Sequence, residues 1–442
     1  MSTEGLAAWQ NLPFDCCQRI VDAGSRAILH SPDAPDEEEL FVATARSIRL
    51  VCAAWRDAGA SSVVRLRLGG LGPLSASRPL AAVFPELRCL DLSAFGGLRD
   101  EGVALLGGCR GLEKLQLAAP GLTAAGLQAV SAMFPVLRCF WLGVAGSDAV
   151  TEEGLTAVAA GLPGLMRLEL QGCSRLRNER LGPLLGRMGR LRHLDLSNCL
   201  NLLDSCLTGL ASLSSLASLK MRGCWKVSGE GLGVLAPPAL QLRFLDLSEC
   251  KVTDAGLHQV ATLTSLTRLY LARSWDVRAP GLAALSRLTR LAVLDLSQTN
   301  TDNTGVAEMS VGLTVSLTDL DLSATLINRH GVCALAAALP RLRRLKLNKC
   351  PGLDDDALLH LASLSCLRRL HVRHCRNLSD SAATGLAAAL PRLQHFELDG
   401  CWAVAMATMD RLYGRPHAEW RRAGDGVDDE GGGWEGEAEG CA

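Results

Sequence analysis

The run HVRHC, from His371 to Cys375, places two imidazoles and a thiol in one short stretch, and these are side chains that ligate zinc. A closed zinc site needs four converging ligands, and no pair of CxxC motifs at zinc spacing accompanies the run. Arg369 and Arg373 beside it add positive charge, which opposes a bound cation. Aspartates are the second candidate: Asp195, Asp246 and Asp295 each sit in the tetrapeptide LDLS, and carboxylates can serve as general acids and bases. Cysteines are the third, since the chain holds 17 of them and a thiolate is a strong nucleophile. There is no phosphate-binding glycine loop, HExxH or GxSxG, and no pattern calls for a cofactor.

The elements that must position these residues point away from catalysis. A segment of form LxxLxL recurs thirteen times, from LRCLDL at Leu87 to LQHFEL at Leu393, at separations of 24 to 28 residues. In the copy beginning at Leu242, Leu245 and Leu247 alternate with Asp246 and Ser248, the period of a half-buried strand. Thr253 then stands where a helix cap belongs, and Leu257, Val260, Ala261 and Leu263 follow at helical spacing. Pro85, Pro135, Pro163, Pro340 and Pro391 each precede the next LxxLxL by two residues, where they stop a helix. Strands joined through helices must run parallel. Because strands stack about 4.8 Å apart while helices need about 10 Å, the array is expected to bend into a horseshoe, its strands lining the concave face.

Within this frame the candidates acquire structural roles. Cys173, Cys199, Cys224, Cys250, Cys350, Cys375 and Cys401 all occupy the third position after the LxxLxL core, and Ser274, Thr299 and Thr325 take the same place in other copies. A small side chain there turns inward, and its weak donor can satisfy loop carbonyls that burial would leave unpaired. The recurring Asp belongs to the repeat in the same way. His371 falls on the strand face, His374 in the turn and Cys375 in the buried ladder, so the three point apart and no metal site is expected.

The pattern, in lines such as LDLSECKVTDAGL from Leu245 and LDLSNCLNLLDSCL from Leu194, resembles the cysteine-containing class of leucine-rich repeat over roughly residues 87 to 402. The fold class this implies is α/β: a solenoid of parallel strands inside and helices outside. That class is found above all in F-box proteins.

A segment of different character lies ahead of the repeats. LPFDCCQRIV, from Leu12 to Val21, puts Pro13 at a helix start, and FVATARSIRLVCAAWRDA sets Phe41, Ala45, Ile48, Cys52 and Trp55 at helical spacing. Two amphipathic helices are predicted, joined by an acidic link over residues 22 to 40. Leu-Pro, a short helix ending in Ile, and then Leu-Val-Cys-x-x-Trp-Arg at Leu50 to Arg56 resemble an F-box, with Leu12, Pro13, Ile20, Val51 and Trp55 at its characteristic apolar positions. The resemblance implies docking to a Skp-type adaptor and, through it, to a cullin scaffold. A helical cap over the first repeat would serve the same segment, and VVRLRL from Val63 to Leu68 reads as an irregular strand joining the two parts.

The expected organisation is therefore a helical module over residues 1–60, a solenoid over 61–412 and an acidic, Gly-rich, disordered tail over 413–442. Val404, Met406, Met409 and Leu412 offer apolar side chains for a closing cap. With 45 Lys plus Arg against 46 Asp plus Glu, bulk charge attracts neither nucleic acid nor membrane. No secretory signal and no run of 18 apolar residues is found, which points to cytoplasm or nucleus.

The binding residues are sought on the concave face. Trp141, Phe244 and Tyr270 occupy outward strand positions, where exposed aromatics make binding anchors. Arg344, Lys346, Arg369 and Arg373 follow, in a stretch from 341 to 376 with nine Lys or Arg against three Asp, suited to an acidic or phosphorylated protein segment. The sequence thus implies a non-catalytic substrate receptor of a Skp-cullin-F-box ubiquitin ligase. The alternative is a ligase-independent scaffold in a cytoskeletal or axonemal assembly. Because each repeat is covered mainly by its neighbours, a chain ended at Ala336 should aggregate while one ended near residue 423 should not, and soluble yields compare the two. Equal yields would overturn the continuous array.

Overall fold

The computed structural model describes residues 42–44, 65–70, 81, 85–95, 98–117, 121–142, 150–176, 178–236 and 241–413. They fall into two compact units, divided between Leu168 and Glu169. In the first unit β1 (Val42–Thr44), β2 (Arg65–Gly70), β3 (Cys89–Phe95), β4 (Lys114–Leu117) and β5 (Cys139–Leu142) pair in parallel and in sequence order. The division falls within β6 (Arg167–Glu169). The second unit continues with β7 (His193–Asp195), β8 (Ser218–Lys220), β9 (Phe244–Asp246), β10 (Arg268–Tyr270), β11 (Val293–Asp295), β12 (Asp319–Asp321), β13 (Arg344–Lys346), β14 (Arg369–His371) and β15 (His395–Glu397), again parallel and sequential. One side of the sheet carries the connecting helices; the other is open. This is a leucine-rich-repeat solenoid.

The repeat logic is visible in the unit that begins at Leu242. Leu242, Leu245, Leu247, Val252, Leu257, Val260, Ala261 and Leu263 are all buried. Each fully buried branched side chain stabilises the fold by about 1.5–3 kcal/mol. Thr253 caps the helix Asp254–Val260 by accepting a hydrogen bond from the Gly256 amide at 3.0 Å. Helices Ala124–Met133, Glu152–Gly161, Arg329–Ala338 and Asp380–Ala389 each end two residues before a proline, as the sequence predicts. Not every connection is an α-helix: Asp204–Ser212 and Glu230–Leu235 wind as tighter 3-10 turns. Gly209 in the first of these packs so closely on Gly182 that a side chain at either would strike backbone.

The ladder residues close each turn. The Cys199 thiol donates to the Leu170 carbonyl at 3.1 Å, Cys224 to Leu196 at 3.2 Å, Cys250 to Met221 at 3.1 Å, and Ser274 to Leu247 at 3.1 Å. Cys350, Cys375 and Cys401 repeat the bond to Leu322, Leu347 and Val372. Each acceptor lies one unit back, so the thiols stitch neighbours together. Thr299 and Thr325 instead bond the carbonyls of Leu296 and Leu322 in their own unit. The residue before the ladder position is left-handed in every turn from Gly172 to Gly400, and seven of these residues, among them Glu249, Arg273 and His374, are not glycine. That geometry costs an L-residue about 1–2 kcal/mol. It is held by the amide of the same residue, which bonds the next unit, as Glu249 does to the Ala272 carbonyl at 2.7 Å.

A second seam runs where the helices start. Asp204 accepts from the amides of Ser228 and Gly229 in the next unit, and Asn303 from those of Asn328 and Gly331. At the end of the array, Val404 and Leu412 are buried as a cap should be, but Met406 is not: it starts the helix Met406–Tyr413 on its outer side.

At the other end the expectation needs correction. Val42–Thr44, placed by sequence near the start of a second helix, forms β1 and pairs with Arg67–Gly69. The β-branched Val42 and Thr44 suit an added strand, and the pairing occupies backbone groups that β2 would otherwise present at an edge. β2 itself has the predicted irregularity, a register shift between Arg67 and Gly69.

The ladder predicts its own test. Cys250→Ser keeps a donor for the Met221 carbonyl and should change stability by less than about 1 kcal/mol, whereas Cys250→Ala should cost about 1–3 kcal/mol. Urea denaturation reads both, and equal losses would remove the hydrogen bond from the argument.

Candidate interaction surface

The open face of the second unit presents two rows of side chains. Register pairs Ser218, Phe244, Arg268, Val293, Asp319, Arg344, Arg369 and His395 along one row, and Lys220, Asp246, Tyr270, Asp295, Asp321, Lys346, His371 and Glu397 along the other. The leucine between each pair points into the core.

Of the predicted aromatic anchors, Phe244 and Tyr270 come together, with ring centroids 5.2 Å apart. Phe244 is half-buried and takes the Lys220 ammonium over its ring at 5.7 Å. Tyr270 is not the exposed anchor the sequence suggested, being only 5% exposed. Rungs about 4.8 Å apart leave so large a ring no room to stand alone, so it lies among its neighbours. Trp141 belongs to the first unit, half-buried, with the Arg167 guanidinium 5.6 Å from its ring centre.

The basic groove is also corrected. Arg344 reaches Asp319 at 3.6 Å and Lys346 reaches Asp321 at 3.6 Å. Arg373 lies 3.0 Å from Glu397 and 3.4 Å from Asp399. Arg369 makes no ion pair among the described residues. Arg373 does not stand opposite Lys346, because His371 does, and His371 in turn meets Glu397 at 2.5 Å. Acidic side chains from the units on both sides therefore pair three of the four predicted cations, Arg344, Lys346 and Arg373.

The carboxylates of this face are structural. Asp195, Asp246, Asp295 and Asp321 are buried, and each accepts the amide of the serine two residues on, at 2.8 to 2.9 Å. Burial pushes the Asp295 carboxyl above the usual carboxylate range, and the charge of Asp321 one rung away adds to this. Burial raises Asp246 too. Glu397 moves the other way: burial opposes its charge, but the hydrogen bond and charge of His371, with Arg373 and His395, outweigh it and hold the carboxyl low.

The buried ladder thiols are poorly suited to act as nucleophiles. Burial pushes the Cys173, Cys224 and Cys375 thiols up to about 12, so they stay protonated. In HVRHC the left-handed turn lays the His374 ring against Gly400, whose positive φ and missing side chain leave the space for it. No three His, Cys, Asp or Glu among the described residues are grouped to hold a metal ion.

Sequence reasoning missed the most exposed aromatics. Trp225, Trp275 and Trp402 are 60%, 66% and 80% exposed, each immediately after a ladder residue on the loop that leaves the sheet. The signal was available, since Cys224, Ser274 and Cys401 fix that register. The Arg376 guanidinium lies 5.3 Å from the Trp402 ring centre. Leu12, Pro13, Ile20, Val51 and Trp55 lie outside the described residues, as do 414–442. No helix among the described residues is long and apolar enough to cross a membrane.

No protein-family model matches the chain. It is 31% identical over 183 residues to the DNA repair protein rhp7 of Schizosaccharomyces pombe, a match covering 40% of this chain and 28% of that protein. The chain thus matches little more than a quarter of that relative's length. Among solved structures, the yeast Rad7 and Elc1 complex matches with a TM-score of 0.51 at 19% identity, covering 73% of this chain and 84% of that one. A leucine-rich-repeat protein of Leptospira interrogans matches with a TM-score of 0.52 at 18% identity, covering 82% and 90%. These likenesses show the repeat fold.

The raised Asp295 carboxyl makes stability depend on pH. A carboxyl whose folded value lies above its unfolded one contributes fully below the unfolded value, and that contribution is lost as pH rises through the folded value. Asp295→Asn keeps the oxygen that accepts from Ser297 and removes the loss. The variant should match the parent near pH 4 and melt a few degrees higher near pH 8. Thermal melts across that range check it; an equal difference at both ends would contradict the assignment.

Proposed function

We propose that this chain is the substrate-recognition subunit of a Skp-cullin-F-box ubiquitin ligase, acting without catalysis of its own. The observation that carries the proposal is the order of parts: an F-box-like segment, Leu12 to Arg56, ahead of a solenoid whose open face is built for contact. Phe244 over Tyr270, with Lys220 across the ring, forms an amphipathic platform for a protein target. Arg369, with no ion pair among the described residues, lies farther along the same face and suits a carboxylate or phosphate on that target. The remaining predicted cations, Arg344, Lys346 and Arg373, would meet such a target only by exchanging their present partners.

The mechanism is positioning. The chain carries the target and the adaptor-binding segment on one polypeptide, so that a ubiquitin-loaded enzyme on the cullin meets a target lysine at high local concentration. Rad7, a protein of this fold, has been crystallised in complex with Elc1, which is in keeping with a solenoid that works through a protein partner. Cytoplasm or nucleus is the setting this role requires.

The second reading, a ligase-independent scaffold, draws on β1. A strand at Val42–Thr44 extends the sheet where an F-box helix was expected, as a simple end cap would. Adaptor capture separates the two. The chain should copurify with adaptor and cullin in near-equal amounts, and alanine at Leu12, Pro13 and Trp55 together should abolish capture without lowering the melting temperature. Absence of both partners from the parent chain, or normal capture by the triple variant, would leave the scaffold.

A further inference from the structure

The strands of the second unit begin at one edge and end at the other, and the two edges differ in charge. Acidic helix starts, including Asp254, Asp302, Asp354, Asp355 and Asp380, gather where strands end. The edge just before the strands is formed by residues 286–292, 314–318, 339–343, 363–368 and 389–394, which contain no Asp or Glu. Arg287, Arg290, Arg341, Arg343, Arg368 and Arg392 are all exposed there. None of the six makes an ion pair among the described residues; Arg341 donates to the Val315 carbonyl at 3.2 Å.

The densest part is a two-rung block. The Arg368 amide donates to the Arg343 carbonyl at 2.8 Å, which fixes these two arginines on adjacent rungs, and Arg344 and Arg369 are register partners beside them. Four guanidinium groups thus share two rungs, with Asp319 the acid paired to one of them. Cations beyond helix C-termini gain about 0.3–1 kcal/mol from the helix dipole, which rationalises one arginine per helix end but not two on successive rungs.

We propose that this edge, centred on Arg343, Arg368 and Arg392, is a docking surface for an acidic peptide segment of a partner protein. Planar guanidinium forks bind carboxylates through two parallel hydrogen bonds, and exposed arginines without partners are open to do so. Single-stranded nucleic acid fits less well: the edge segments contain no Trp, Tyr or Phe for bases to stack on, and the whole chain carries a net charge of −1. The surface is separate from the aromatic platform of the open face and does not depend on the ligase role.

The test is anisotropy of a fluorescein-labelled deca-glutamate peptide titrated with the full chain across a salt series. Arg343→Ser, Arg368→Ser and Arg392→Ser combined should weaken binding by about tenfold or more and flatten its salt dependence. Arg343→Lys, Arg368→Lys and Arg392→Lys combined should fall between, keeping charge but losing the fork. Lys349→Ser with Arg376→Ser, at the opposite edge, should leave binding within about twofold. Circular dichroism melts confirm that all variants fold. Unchanged binding by the triple Ser variant overturns the proposal, as does an equal loss in the opposite-edge variant. Tighter binding of an oligothymidylate of equal charge, lost in the triple Ser variant, would make the edge a nucleic-acid surface instead.

Discussion

Everything in this solenoid depends on satisfying the backbone carbonyl at the point where a strand leaves the sheet. There the chain must turn toward a helix while buried, and the carbonyl takes a second bond beside the one its own turn supplies, as Leu196 does from the Cys199 amide and the Cys224 thiol, both at 3.2 Å. The solution uses two devices at once: a left-handed residue that swings the turn, and a small inward donor supplied by the following unit. Because this second donor comes from the neighbour, each thiol of the ladder ties its unit to the one before. The abundance of cysteine follows from this, since a thiol is small and apolar enough to be buried and still donates weakly.

The repeat fold was legible in the amino acids because its determinants are local and periodic: leucines at fixed spacing, Thr253 before a helix, prolines after one. The ladder was legible for the same reason. The open face was not, because its chemistry lies between units. Arg344 meets Asp319 and Lys346 meets Asp321 at a distance of one repeat in sequence, so a count confined to residues 341 to 376 misses the acids that pair the cations of the open face. Tyr270 was misjudged because alternation reveals direction but not burial, and the direction it shares with Asp246 and Asp295 is itself crowded. The exposed tryptophans were overlooked for a simpler reason. They lie just past the strand, outside the window in which period-two alternation assigns a face.

These corrections alter where recognition is to be sought. Charges on the open face are mainly engaged with each other. Arg343, Arg368 and Arg392, at the edge where strands begin, make no ion pair among the described residues. A solenoid unit of this kind therefore offers two chemically different contacts, one amphipathic and preorganised, the other cationic and solvated.

The two threonines of the ladder change how the array yields to force. Cys250 and Ser274 tie their turns to the preceding unit, and Cys350 resumes the tie, but the Thr299 and Thr325 hydroxyls turn to the Leu296 and Leu322 carbonyls of their own turns. Between Ser274 and Cys350 the ladder bond to the preceding unit is interrupted, while the strand pairing through β11 and β12 and the seam from Asn303 to Asn328 and Gly331 continue. Flexure of the sheet should concentrate at this interval, which begins just past the aromatic platform of Phe244 and Tyr270 and gives the units beyond it a compliant joint.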